Sequence, residues 1–112
     1  MGSLYQLADV TALTAATPTV EELELADVLH ALSDPVRLRI VAQLSDGCEH
    51  ACGSFDLPVT KSTSSHHFRV LREAGVIATR DEGKNRFNSL AREQLEERFP
   101  GLIDAVLRAA AS

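Results

Sequence analysis

The chain has no tryptophan, one tyrosine, one methionine and two cysteines in 112 residues, and aromatic side chains make up 4% of it. It has no apolar run approaching the roughly 18 residues needed to cross a bilayer, so a membrane-spanning helix is excluded. The N-terminus lacks the basic region and apolar core of a signal peptide, so export is not expected and the chain is placed in the cytoplasm. Without an export signal, the two cysteines are expected as reduced thiols, although two are enough for a switch. No glycine-flanked nucleophile elbow, phosphate loop or metal-binding His-Glu motif occurs, and a chain this short has no room for a deep substrate cavity. An enzyme is therefore not expected, and neither is a required cofactor. What remains is 45% hydrophobic and 24% charged residues, an ordinary globular balance with disorder limited to the ends.

A chain of this length forms one domain and buries perhaps two thirds of its unfolded surface, a margin that oligomerisation would improve. The formal net charge of −5 argues against nucleic acid until it is divided by region. Between Val59 and Arg92 lie seven basic and three acidic residues, so this segment carries +4 and the rest −9. Screening beyond roughly 8 to 10 Å allows a basic face on an acidic body to bind phosphates.

The basic segment contains Lys61-Ser62-Thr63-Ser64-Ser65-His66-His67-Phe68-Arg69-Val70-Leu71-Arg72-Glu73-Ala74-Gly75. At a 3.6-residue period Ser64, Phe68, Leu71 and Gly75 share one side, while Ser62, Ser65, His66 and Arg69 share the other. An ordinary solvated face mixes Glu and Lys. This one has no carboxylate before Glu73, and it presents the hydroxyl, imidazole and guanidinium groups that reach base edges and phosphates in a major groove. The helix is expected from about Thr60 or Ser62 to Ala74, with Gly75 as its left-handed stop. His66 faces the groove. His67 adjoins the buried face and is expected to be a hydrogen-bonded packing residue.

Residues 1–19 end in Thr-Ala-Ala-Thr-Pro-Thr and read as a flexible arm, in which Leu4, Leu7 and Ala8 suit a short amphipathic turn. From Val20 to Leu32, Leu25, Val28, Leu29 and Leu32 follow the spacing of a core-facing helix. Asp34-Pro35 caps and starts the next helix, whose buried stripe is Val36, Ile40, Val41 and Leu44. Arg37 and Arg39 are placed to touch phosphates from the flank, with Asp34 or Glu73 as alternative partners for Arg39. Residues 48–59 are irregular, since Gly53 and Pro58 limit any helix there to one or two turns. Val76 to Arg80 and Arg86 to Leu90 flank a turn-forming 81–85 segment and read as a β-ribbon carrying Arg80, Lys84 and Arg86 beside the reading helix. Helix plus ribbon make a winged helix-turn-helix: mainly α with a small β-hairpin, five or six helices, and one domain over 20–112. The terminal stripe of Leu95, Phe99, Leu102, Ile103, Val106 and Leu107 is broken at Pro100. Its last helix either packs within its own subunit or meets the first helix of a twin, with Leu25, Leu29, Leu102, Ile103, Val106 and Leu107 as the interface.

Two stretches resemble the ArsR family of small bacterial winged-helix transcriptional regulators. Leu29-His30-Ala31-Leu32-Ser33-Asp34-Pro35-Val36-Arg37-Leu38-Arg39-Ile40 is similar to the family's opening signature, and Ser65 to Ile77 is similar to its reading helix and following strand. The resemblance implies a homodimer whose reading helices enter successive major grooves of a near-palindromic operator, and repression that an effector relieves. It implies DNA contacts from Lys61, Ser62, Thr63, Ser65, His66 and Arg69 on the helix and from Arg80, Lys84 and Arg86 on the wing. The chain departs from the family in two places. The segment before the reading helix contains Pro58 and lacks a regular helix, and the terminal helix offers Asp104 with no histidine, so the terminal-helix metal site of metal-sensing members is absent.

Cys48 and Cys52, with His50 between them, are the remaining candidate sensor. Four-residue spacing puts both sulfurs on one face if the segment is helical, and a bent loop would bring them within disulfide range. Zinc needs four ligands, which a second subunit or His30 would have to complete. Incidental thiols, a redox switch and metal or metalloid binding all fit these residues. A winged-helix protein-binding module, or a regulator controlled by a partner protein, is the rival to direct sensing.

Overall fold

A computed structural model of the chain describes residues 18–111. The N-terminal arm up to residue 17, with Leu4, Leu7 and Ala8, lies outside the described residues. Among them are five α-helices: α1 (Leu25–Ala31), α2 (Pro35–Gln43), α3 (Lys61–Glu73), α4 (Arg92–Arg98) and α5 (Leu102–Ala110). Three strands accompany them: β1 (His50–Ala51), β2 (Ile77–Glu82) and β3 (Asn85–Leu90). The strands form one antiparallel sheet in the order β1-β3-β2. The architecture is the winged helix-turn-helix expected from the sequence.

The first helix is shorter than its periodicity predicts. Thr19 donates from its backbone N and its Oγ1 to Glu22 Oε1, at 2.9 and 3.1 Å, and this closes Val20–Glu22 into a separate 3-10 turn. The buried face keeps Val28 and Leu32 of the predicted stripe and adds Ala31. Leu23, Val28, Ala31 and Leu32 enter the core, whereas Leu25 and Leu29 remain 46% and 45% exposed. The predicted core role of these two leucines is therefore corrected.

The start of α2 follows the expected cap: Asp34 Oδ2 accepts from the N–H groups of Val36 and Arg37 at 2.9 and 3.1 Å. Burial pushes the Asp34 carboxyl up. The Arg37 N–H, the pull of His67 once its imidazole is protonated, the charge of Arg37, and the Val36 N–H outweigh it and hold the group below the ordinary aspartate range. Ile40, Val41 and Leu44 are fully buried, as predicted, while Val36 is only half-buried.

Pro100 does separate the terminal helices. Ile103 is 1% exposed inside its own subunit's core, with Leu102, Val106 and Leu107 packed half-buried beside it. Ile103 is thus removed from the predicted interface: its side chain has no surface left to offer a twin.

The ribbon is tighter than predicted. Pairing runs from Ile77 opposite Leu90 to Glu82 opposite Asn85, leaving only Gly83 and Lys84 as the turn. Sequence periodicity also missed β1, a two-residue strand too short to alternate, which adds His50 and Ala51 to β3 opposite Asn88 and Phe87.

Candidate nucleic-acid interface

Helix α3 begins at Lys61 because Thr60 caps it, its Oγ1 accepting from Thr63 N at 3.3 Å. Its amphipathicity then decides what each side chain does. His67, Phe68 and Leu71 are buried, and Lys61, Ser62, Thr63, Ser65, His66 and Arg69 are all exposed. The six predicted helix residues therefore all lie on the solvent side of α3, where their hydroxyls, imidazole and cations match the donors and acceptors of a major groove. Ser65 Oγ presently donates back to Lys61 O at 3.1 Å, so an acceptor on DNA would have to win that proton.

Charge on this face is free. Among the described residues Lys61 and Arg69 have no carboxylate at ion-pair distance. A groove of about 690 Å³ runs beside them, with Cys52, Phe55 and Leu57 on one wall and Lys61, Ser65 and Arg69 on the other.

The wing differs. Arg80 donates Nε and Nη2 to Glu49 at 3.0 and 2.9 Å and Nη1 to Glu82 at 3.1 Å, and its guanidinium lies 5.0 Å from the Phe87 ring centre. Arg86 donates to Asp81 at 2.8 and 3.3 Å. These hydrogen bonds raise both guanidinium pKa values and lower those of Glu49 and Asp81. Two of the three predicted wing cations are thus already neutralised, and a phosphate would have to displace a carboxylate to reach either. Lys84, at the turn, has no such partner among the described residues.

Arg37, predicted as a phosphate contact on the flank, is 7% exposed and faces inward, so that role is withdrawn. Arg39 meets Asp56 at 3.5 Å rather than Asp34 or Glu73. His67 is buried and hydrogen-bonded as expected, with Arg37 Nη1 3.1 Å from its Nδ1.

The candidate sensor residues are not joined. Both thiols are free, Cys48 exposed and Cys52 half-buried. Cys52 Sγ accepts from the fully buried Asn88 at 3.0 Å, and Asn88 in turn accepts from Thr79 at 2.9 Å. His50 Nε2 donates to Asp46 Oδ2 at 2.8 Å. The Cys48 N–H, followed by His50, lowers the Asp46 pKa. Among the described residues no group of three or more His, Cys, Asp or Glu side chains is arranged to hold a metal, and Asp104 receives Arg92 Nη1 at 2.9 Å.

An exposed polar helix beside a hairpin, on a three-stranded sheet with five helices, defines a winged helix-turn-helix protein of the DNA-binding class. The sequence profile described as "Bacterial regulatory protein, arsR family" matches residues 34–79, from the cap of α2 into β2. The transcriptional regulator YceK of Bacillus subtilis (strain 168) is 36% identical over 84 residues, covering 72% of this chain and 84% of that protein. The biofilm growth-associated repressor of Agrobacterium fabrum (strain C58) is 36% identical over 85 residues, with 74% and 68% covered. Among solved structures, the transcriptional repressor BigR from Xylella fastidiosa is similar at a TM-score of 0.60 and 31% identity, over 76% of this chain and 84% of that one. The chain belongs to the ArsR family and is a DNA-binding transcriptional regulator, not an enzyme.

Proposed function

We propose that the protein is a cytoplasmic repressor that binds a near-palindromic operator as a homodimer. Lys61, Ser62, Thr63, Ser65, His66 and Arg69 enter the major groove, and Lys84 reaches a flanking phosphate. The observation that carries this is the exposed face of α3, which holds two unpaired cations and no carboxylate in its first three turns. The repressors among its relatives support the sign of regulation. A twin subunit is supported by exposed Leu25 and Leu29, the two large hydrophobic side chains left in solvent among the described residues. Half-buried Leu102, Val106 and Leu107 on α5 add to that apolar surface.

Cys48 and Cys52 serve as the effector site in this reading. A peroxide takes two electrons and two protons from the thiols and leaves as water, forming a disulfide that draws Cys52 away from Asn88. Because Cys52 lines the groove beside α3, the change reaches the DNA-binding face directly.

The test is fluorescence anisotropy of the protein titrated onto duplex from upstream of its own operon, against random duplex, under reducing and oxidising conditions. Specific binding lost on oxidation supports the whole reading. Equal binding in both conditions removes the thiol switch and leaves metals, small molecules or a partner protein as effector. Absence of specific duplex binding favours the protein-binding module.

A further inference from the structure

Among the described residues, the side chain that ties the reading helix to the rest of the fold by hydrogen bonding is Arg37. It lies buried at the first turn of α2 and spends its donors in three directions: Nε to Ala31 O at 2.7 Å, Nη2 to His30 O at 3.3 Å, and Nη1 to His67 Nδ1 at 3.1 Å. The first two acceptors are carbonyls at the end of α1, and the third is on α3. One guanidinium therefore fixes α1, α2 and α3 together.

Chemistry decides the state of His67. A guanidinium has donors and no acceptor, so Nδ1 must be the accepting, unprotonated nitrogen and the ring proton sits on Nε2. A second proton on Nδ1 would set N–H against N–H and place a cation beside a cation in a buried site. The ring has one alternative partner: Asp34 Oδ2 lies 3.7 Å from Nδ1. The His66 ring lies 5.7 Å away between centroids, and Asp27, His30 and Glu73 line a separate small cleft with Val70 and Ala74 toward the end of α3.

We infer that Arg37 is a positioning residue for the DNA-binding face, acting through neutral His67, and that protonation of His67 exchanges Arg37 for Asp34 and releases α3. This rests on the DNA-binding role proposed for α3. The adjacent histidine acts with the opposite sign: His66 is exposed among the groove contacts, so a proton there adds a cation where phosphate lies. Two neighbouring imidazoles, one facing in and one facing out, thus oppose each other as pH falls.

The experiment separates them. Operator affinity is measured with the full chain between about pH 7.5 and pH 5.5, the range in which imidazoles ordinarily titrate. The proteins are the wild type, His66→Asn and His67→Asn, the last keeping an acceptor oxygen where Nδ1 stood. The expected result is that His66→Asn loses about tenfold in affinity over this range, the size set by one charge-assisted hydrogen bond, while His67→Asn loses none. A loss that persists in His67→Asn overturns the inference. Nitrogen-15 imidazole spectra of the DNA-free protein decide it independently: the Nε2–H tautomer of His67 at about pH 7.5 is required, and an Nδ1–H tautomer refutes the contact. If no variant binds duplex at any pH, the proposed function fails while the spectra still report on Arg37 and His67.

Discussion

Substituting Gly75 by alanine should cost far more than the same change at Gly47, although both glycines have φ +82°. Gly75 ends α3 in a Schellman arrangement, its N–H bonding Arg72 O at 3.0 Å and the Val76 N–H bonding Leu71 O at 2.9 Å. An alanine in left-handed backbone costs about 1–2 kcal/mol. Reduced freedom of the unfolded chain returns about 0.4–1 kcal/mol of that. Gly47 has nothing within 4 Å of the added methyl, so about 1 kcal/mol is its whole expected loss. At Gly75 the methyl would overlap Leu23 Cδ2 and sit 3.4 Å from Pro18 Cγ. Leu23 is 1% exposed and cannot swing into solvent. Overpacking of this kind adds about 1–3 kcal/mol, bringing Gly75→Ala to about 2–4 kcal/mol. Urea unfolding followed by far-UV circular dichroism, at one fixed protein concentration, measures both variants. The melting temperature of Gly75→Ala should fall by at least about 8 °C. Equal losses at the two glycines would refute the packing of Leu23 over the end of the reading helix.

Four further outcomes are expected. Arg69→Ala should weaken operator binding and relax its sequence preference by about 1–3 kcal/mol, whereas Lys84→Ala should weaken binding evenly across matched and scrambled duplexes and lower the salt slope by about one. Asp34→Ala should cost about 1 kcal/mol through the lost cap. Because the Asp34 pKa lies below its unfolded value, the carboxylate's contribution is present at neutral pH and disappears as pH falls through the lowered pKa, so the difference between wild type and Asp34→Ala should close in acid. Leu29→Glu should leave the circular dichroism spectrum unchanged while light scattering reports monomers; a persistent dimer would place the interface elsewhere.

The elements that could be read in the sequence are those with a local cause. Asp34-Pro35 announces its helix because cap and first turn are adjacent, and Gly75 announces a stop because left-handed backbone favours glycine. The face of α3 was legible because its buried and exposed residues alternate at the helical period over three turns. The first helix was misread for the same reason in reverse. Leu25, Val28, Leu29 and Leu32 have good spacing, and the Thr19–Glu22 turn that shifts the helix start carries no apolar signal. Strand β1 was invisible because its pairing with β3 joins residues far apart in the chain.

The electrostatics of the site show the same limit at long range. A count of charges gives the 59–92 segment +4 and credits the wing with three cations, as many as the helix. Folding brings Glu49, 31 residues upstream, onto Arg80, and pairs Arg86 with Asp81 across the ribbon. Arg92 is likewise paired with Asp104. Within α3 and the wing, the cations left without a carboxylate at ion-pair distance among the described residues are Lys61, Arg69 and Arg72 on the helix and Lys84 at the turn. On a body whose remaining charge is acidic, the proposed complex has weak non-specific attraction to phosphate and relies on the few free cations and the hydroxyls beside them. That arrangement makes the orientation of α3 decisive. In the proposed complex Lys61, Arg69 and the serines ride on one helix and are misplaced together if it reorients, and the paired wing has little charge to compensate. The hydrogen bonds of Arg37 to two neighbouring elements and to His67 therefore bear on DNA affinity, although neither side chain lies on the exposed face.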